Sequence, residues 1–296
     1  MMFLKDIKYN EPVFRPPAEA RSAIIQATLG CSWNKCAFCE MYTSKKFKAR
    51  SFEELKPEIQ TLANAYKGVK KIFLADGDAF VLSAKKLTPI LNEINKQFGK
   101  IQRISSYALP KDILMKSESE LKELRNLGLK LLYIGIETGD DNLLKLINKG
   151  ETFSSTIDGV LKAHEAGIET SIMIINGLGG KKYSDMHALK SAEIINKVNP
   201  KFLSTLTLSL PYGLEHFQER FNGKYQQQTI VELFEELKLF IENLELENVI
   251  YRSNHVSNNL PLQGILSKDK MQLIGMLSKA IELTPESKYP SNSDIL

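Results

Sequence analysis

The stretch LKLLYIGIETGDDNLLKLINKG, residues 129–150, carries the architecture of the chain. Residues 129–136 form a nearly continuous apolar run of strand length, which suits a strand buried on both faces of a parallel sheet. From residue 139 to 148 the spacing turns helical, and Thr138 and Asp140 stand where a helix is capped. A strand passing into a helix through a short turn is one βα unit.

The same alternation runs outward in both directions. Strands are predicted at 23–29, 70–75, 101–107, 169–175, 202–210 and 248–253, and helices near 51–66, 83–97, 117–127, 154–166, 184–197, 229–244 and 267–283. Six or seven such units make most of a TIM-like barrel, whose chemistry sits where strands end and loops begin. The expected fold is therefore α/β, a partial TIM-like (β/α)6 barrel. Residues 1–20 are expected to be an N-terminal arm, 21–211 the core barrel, and 212–296 a C-terminal extension covering it, ending in a frayed polar tail, SKYPSNSDIL.

Composition narrows the class. With 296 residues and 43% apolar residues there is enough material for a substantial core. The net charge of +4 comes from basic residues scattered along helices, so a nucleic-acid partner is not indicated. The start, MMFLKDIKYNEPVFRPP, has no apolar signal-peptide core, and no run approaches a membrane span of about 18 apolar residues. The expected setting is cytoplasmic, without a membrane partner.

Directly after the first predicted strand comes TLGCSWNKCAFCEMY, residues 28–42, which holds all three cysteines of the chain. Three thiols on one short loop suit a metal centre better than a disulfide framework. Thiolates are preferred ligands of iron–sulfur clusters, and with no fourth cysteine one iron of a [4Fe–4S] cluster stays open to another ligand. A zinc site completed by a histidine such as His255, and three inert buried cysteines, are the competing readings.

This loop resembles the signature of the radical S-adenosylmethionine superfamily, C-x3-C-x-aromatic-C, with Phe38 in the aromatic place. The departure is one extra residue in the first gap, giving C-x4-C-x2-C through Ser32, Trp33, Asn34 and Lys35. The resemblance covers roughly residues 22–211. FLADGDAF (73–80) is similar to the turn whose backbone receives the methionine ammonium of the cofactor, which points to Asp76, Gly77 and Asp78. Residues 131–150, LLYIGIETGDDNLLKLINKG, are similar to I-G-x-E-S-G-x-x-x-x-L-K-x-x-x-R/K-G of the methylthiotransferase and anaerobic coproporphyrinogen oxidase branch. There Glu137 corresponds to a residue contacting the ribose or the amino group of S-adenosylmethionine. A carboxylate at a buried strand end is costly without partners, which independently marks it. SIMIINGLGG (171–180) resembles the strand and turn whose apolar side chains, here Met173 and Ile175, flank the adenine, with Gly177, Gly179 and Gly180 giving backbone access. LSLPYG (208–213) places Leu210 where backbone meets the adenine edge.

The resemblance implies cofactors, a [4Fe–4S] cluster on Cys31, Cys36 and Cys39 and S-adenosylmethionine, and a flavodoxin- or ferredoxin-type electron donor. It implies reductive cleavage of S-adenosylmethionine to a 5′-deoxyadenosyl radical that abstracts hydrogen from a small substrate. Release of a 3-amino-3-carboxypropyl radical and a non-catalytic redox- or metal-sensing protein are the alternatives. Three cysteines leave none for an auxiliary cluster, and no cobalamin domain is apparent. After the last predicted strand, YRSNHVSNNLPLQG gathers Arg252, Ser253, Asn254, His255, Asn258 and Asn259 where a barrel presents its active site. Arg252 and His255 are the candidates for substrate binding and proton handling.

Overall fold

A computed structural model describes residues 7–290; residues 1–6 of the expected arm and 291–296 of the expected frayed tail lie outside the described residues. In chain order the strands are β1 (Ala23–Gln26), β2 (Thr28–Leu29), β3 (Lys48–Ala49), β4 (Lys71–Ala75), β5 (Arg103–Tyr107), β6 (Leu129–Glu137), β7 (Glu169–Asn176), β8 (Phe202–Thr207), β9 (Ile250–Ser253) and β10 (Leu262–Ile265). Eight of them form one mostly parallel sheet in the order β1-β4-β5-β6-β7-β8-β9-β10, and β2 with β3 makes a small antiparallel ribbon. The helices are α1 (Phe52–Ala65), α2 (Ala84–Phe98), α3 (Pro110–Leu114), α4 (Glu118–Asn126), α5 (Asp141–Leu146), α6 (Phe153–Glu165), α7 (Gly180–Val198), α8 (Gly213–Arg220), α9 (Ile230–Glu242) and α10 (Leu266–Leu283). Reciprocal capping boxes at Ser51–Glu54, Ser117–Glu120 and Thr229–Glu232 start α1, α4 and α9, each satisfying helix donors that would otherwise lack partners.

Two predicted strands end three residues early, at Gln26 and Thr207. The run 23–29 breaks at Ala27, where the carbonyl accepts the Arg50 N–H and Thr28 Oγ1 accepts the Asp76 N–H, so Thr28 and Leu29 leave the main sheet for β3. The run 202–210 ends as a strand at Thr207. β10, which closes an antiparallel hairpin with β9, and the short helices α3 and α8 were not expected.

The chain divides into two compact units. One comprises residues 1–34, 41–134 and 158–170, the other 35–40, 135–157 and 171–296. In the first, Phe73, Tyr107 and Tyr133 meet edge to face on one side of β4, β5 and β6. Glu19 is fully buried, accepting bonds from Arg103, Ser22 and Tyr133. In the second, Ile172, Leu203 and Tyr251 are buried on one face of β7, β8 and β9. Met173, Ser204 and Arg252, which are in register with one another, occupy the opposite face and are partly or fully exposed. That alternation leaves an accessible surface at the end of the sheet nearest the predicted substrate loop.

Candidate active site

In the first unit the turn after β4 meets the start of the cysteine segment. Asp76 Oδ2 accepts the Gly30 N–H at 3.0 Å, Gln26 Nε2 at 3.0 Å and Lys45 Nζ at 2.8 Å. Lys45 and Asp76 are almost wholly buried, so this ion pair ties residue 30 to residue 45 and brackets the loop between them. Asp76 is thus a brace for the cysteine loop. Its other oxygen, Oδ1, is buried without a hydrogen-bond partner among the described residues, and so is Oδ1 of Asp78. Asp78 Oδ2 accepts the Ser32 hydroxyl. Burial, and next the Asp112 carboxyl beside it, hold the Asp78 carboxyl well above the usual carboxylate range. Gly77 is required by packing: a Cβ there would lie 2.3 Å from the Tyr42 ring. Lys116, also buried, donates to Phe80 O at 2.7 Å and Asp112 O at 3.1 Å.

In the second unit Cys36 and Cys39 lie on a turn closed by the Cys39 N–H to Cys36 O bond. The Ala37 N–H bonds Ile147 O just beyond α5, and Ala37 is buried with Leu143, Leu144, Ile147 and Leu210, against which Phe38 also packs. Leu210 therefore sits in this apolar cluster, and its carbonyl accepts the Gly213 N–H.

Glu137, at the end of β6, has a φ of +66°, a conformation that a residue with a side chain holds only when its surroundings impose it. Its carboxylate folds back over Gly135, where a Cβ would stand 2.1 Å from Glu137 Oε1. Lys149 Nζ pairs with that Oε1 at 2.8 Å and lies 5.9 Å from the centre of the Phe38 ring. Burial opposes the Lys149 charge, but Glu137, Cys36 and Cys39 outweigh it and raise its pKa. A cation so close to two thiols favours their ligating, deprotonated form. Lys149 occupies the R/K place of the quoted motif and received no role from the sequence.

A second network also went unforeseen. His187 on α7 hydrogen-bonds Thr138 Oγ1 at 2.8 Å, and its Nε2 is 3.6 Å from Glu236 on α9. Glu236 accepts the Gly177 N–H at 2.6 Å and the Ser184 hydroxyl at 2.7 Å, while Ser191 accepts the Gly139 N–H at 3.0 Å. Together these bonds hold the turn after Glu137 and the turn after β7. The glycines of the second turn also pack closely: a Cβ on Gly177 would meet Leu233 at 2.6 Å and one on Gly180 would meet Gln226 O at 2.4 Å. The small residues make room for the C-terminal segment.

At the β9–β10 hairpin Arg252 is exposed, and Asn258 is bonded to Thr207 and Thr205. His255 Nδ1 accepts the Ser257 N–H at 3.2 Å, so the neutral ring carries its proton on Nε2; burial lowers its pKa.

A family model, the radical SAM superfamily, matches residues 25–195, and the chain belongs to that superfamily. A protein of Pyrococcus horikoshii named as an uncharacterized methyltransferase is 26% identical over 192 residues, 64% of this chain and 39% of that one. The tRNA-2-methylthio-N(6)-dimethylallyladenosine synthase of Chlorobium phaeobacteroides is 27% identical over 179 residues, 57% of this chain and 39% of that one. The match thus spans about two fifths of these relatives. The structure of coproporphyrinogen III oxidase from Escherichia coli, a radical SAM enzyme, aligns with a TM-score of 0.59 at 19% identity over 76% of this chain and 54% of that one. That likeness shows the partial TIM-barrel fold.

The protein is an enzyme of this superfamily, with the superfamily's cofactors, a [4Fe–4S] cluster and S-adenosylmethionine. The residues suit them. All three thiols stand within nine positions, partly buried and outside any disulfide, and the orphaned oxygen of Asp76 is an acceptor in want of a donor such as an ammonium. Among the described residues no three His, Cys, Asp or Glu side chains are gathered closely enough to hold a metal as they stand, so the cysteine trio rests on its spacing. No helix among those residues is long and apolar enough to cross a membrane.

Proposed function

We propose that Cys31, Cys36 and Cys39 hold one [4Fe–4S] cluster at which S-adenosylmethionine is cleaved to a 5′-deoxyadenosyl radical, and that this radical takes hydrogen from a small substrate. The observation that carries the reading is the buried Glu137–Lys149 pair beside the Cys36–Cys39 turn, held in a backbone conformation that costs energy. Strain and a desolvated ion pair concentrated at a strand end suit a ligand site better than a plain helix cap. When bound, the cluster supplies the electron that breaks a carbon–sulfur bond, as cofactors carry the hard chemistry. The chain's own residues bind and orient. The 76–78 turn offers its backbone and the orphaned Asp76 oxygen to the methionine ammonium, Glu137 takes the ribose hydroxyls, and Phe38, Met173, Ile175 and Leu210 line the nucleoside. Arg252 receives an anionic group of the substrate, and His255 donates its Nε2 proton in a hydrogen bond.

In this reading residues 1–20 are an arm, 21–211 the catalytic core and 212–296 the extension, and the electron comes from a cytoplasmic flavodoxin or ferredoxin. The methyltransferase and methylthiotransferase names of the relatives suggest other fates for the radical. Within this chain, however, all three cysteines are committed to one cluster. The test is anaerobic reconstitution followed by reduction in the presence of S-adenosylmethionine. About four irons and four sulfides per chain and release of 5′-deoxyadenosine are expected, and alanine at any of the three cysteines removes both. Release of methylthioadenosine instead would assign the cut to the other carbon–sulfur bond, and stoichiometric zinc without sulfide would end the reading.

A further inference from the structure

The family match ends at residue 195, yet a helix beyond it, α8, is bonded to the cysteine segment. Arg220, the last residue of α8, donates from Nη2 to Cys36 O at 2.8 Å and reaches Cys39 O at 3.5 Å. Its Nη1 donates to Glu40 Oε1, which also accepts His216 Nε2 at 3.0 Å. Glu40 follows Cys39 directly, and its side chain is only 7% exposed. One guanidinium fork therefore spans the backbone of two thiol-bearing residues while its counter-charge sits on the next residue. Only arginine offers donors in that planar spread. Arg220 is 26% exposed, but the buried Glu40 end of the pair is shielded from water, so each charge acts on its neighbours more strongly than in bulk solvent.

Iron–sulfur potentials respond to net charge, hydrogen bonding and solvent exposure around the cluster. We infer that the Arg220–Glu40 ion pair sets the reduction potential of the cluster while Arg220 positions the Cys36–Cys39 turn. The inference rests on the cluster assignment made above. Reduction adds one electron and makes the cluster more negative, so the Arg220 charge favours the reduced form and the Glu40 charge opposes it. Neutralising Arg220 removes one positive charge and neutralising Glu40 removes one negative charge beside the same turn, so the two single variants must shift the potential in opposite directions. A clamp with no electrostatic role gives no such opposition, because loosening the turn from either side exposes the same cluster to the same water.

The experiment is an anaerobic potentiometric titration of the full chain without S-adenosylmethionine, with dithionite as reductant and the reduced cluster followed by electron paramagnetic resonance. Arg220→Gln is expected to lower the reduced-to-oxidised ratio at a fixed potential about tenfold, about 59 mV for one electron. Glu40→Gln should raise it by a similar factor, Arg220→Lys should stay within about threefold of the parent, and iron and sulfide should remain complete in all. Equal potentials, shifts of the same sign in both glutamine variants, or loss of the cluster from both would overturn the inference and leave a structural clamp. A parent chain that assembles no cluster gives no signal in any sample, and that outcome sinks the cluster assignment together with the inference built on it.

Discussion

The Lys149 ammonium lies 2.8 Å from the Glu137 carboxylate, and both side chains are at least nine-tenths buried. Breaking such a pair from one side strands a charge, at a cost of about 3–5 kcal/mol, whereas replacing both partners with neutral groups is often nearly neutral. Lys149→Met should therefore destabilise the protein by about that amount, and Glu137→Gln with Lys149→Met should recover most of it. Urea midpoints of the apoprotein read this directly. Neither variant should bind S-adenosylmethionine well, so stability and binding part company in the double variant. A double variant no more stable than Lys149→Met alone would show that the two charges are not coupled.

Gly135 tests the same pair without removing either charge. A Cβ at that position collides with the end of the Glu137 side chain, which can swing aside, and not with rigid backbone. Gly135→Ala should accordingly leave the cluster assembled, destabilise the apoprotein by up to about 3–5 kcal/mol because the displaced oxygen is the one that pairs with Lys149, and weaken cofactor binding about tenfold, equivalent to about 1.4 kcal/mol. Equilibrium dialysis of the reconstituted protein decides it. Unchanged binding would mean that the folded-back carboxylate is not the one the cofactor meets.

Lys116 gives a pH signature in the first unit. Burial lowers its pKa from 10.5 to about 8, against the opposing pull of Asp112, Asp78 and Glu120. The unfolded chain keeps the ordinary value, so between about pH 8 and 10.5 it binds more protons than the folded one, and stability from this group rises with pH across that window. Below pH 8 the charged, buried lysine costs up to about 3 kcal/mol. Compared with Lys116→Met, the parent should be least favoured at pH 7 and gain steadily towards pH 10. A pH-independent difference between the two would place the Lys116 pKa near its ordinary value.

Much of this was legible because buried parallel strands are contiguous apolar runs: the segments at 71–75, 129–137 and 169–176 stand within one or two residues of their expected places. Glu137 was legible for the converse reason, a charge where the pattern demands none. Its partner was not, because a lysine at the end of a short helix reads equally well as a complement to the helix dipole. Asp76 shows the limit from another side. Its position in a ligand-binding turn is visible, but its bonds to Gly30 and Lys45, 46 and 31 residues away in the chain, are not. The break at Ala27 has the same origin, since a β-competent run was interrupted by bonds from Arg50 and Asp76. His187 and Glu236 looked like ordinary polar positions on amphipathic helices, and nothing local in the sequence tells a buried network from a solvated face.

The substrate loop carries the remaining prediction. Arg252 is in register with Ser204 and Met173 on the accessible face of β7, β8 and β9, so a guanidinium stands in one row with a residue proposed to flank the adenine. An exposed arginine there offers a permanently charged fork for a carboxylate or phosphate. Burial lowers the His255 pKa and favours the neutral ring, whose Nδ1 accepts the Ser257 N–H. It can therefore contribute Nε2–H as a donor but is poorly placed to take up a proton. Uncoupled formation of 5′-deoxyadenosine needs only cluster and cofactor, whereas turnover needs the substrate bound. Arg252→Ala should keep the first within about twofold and lower kcat/KM for the substrate by about a hundredfold, equivalent to about 2.7 kcal/mol, with Arg252→Lys recovering part of it. His255→Ala should reduce turnover less and also lower stability by about 1 kcal/mol through the lost turn bond. Parallel loss of both activities in Arg252→Ala would make the hairpin a structural seal, and retention of both would move substrate recognition elsewhere in the chain.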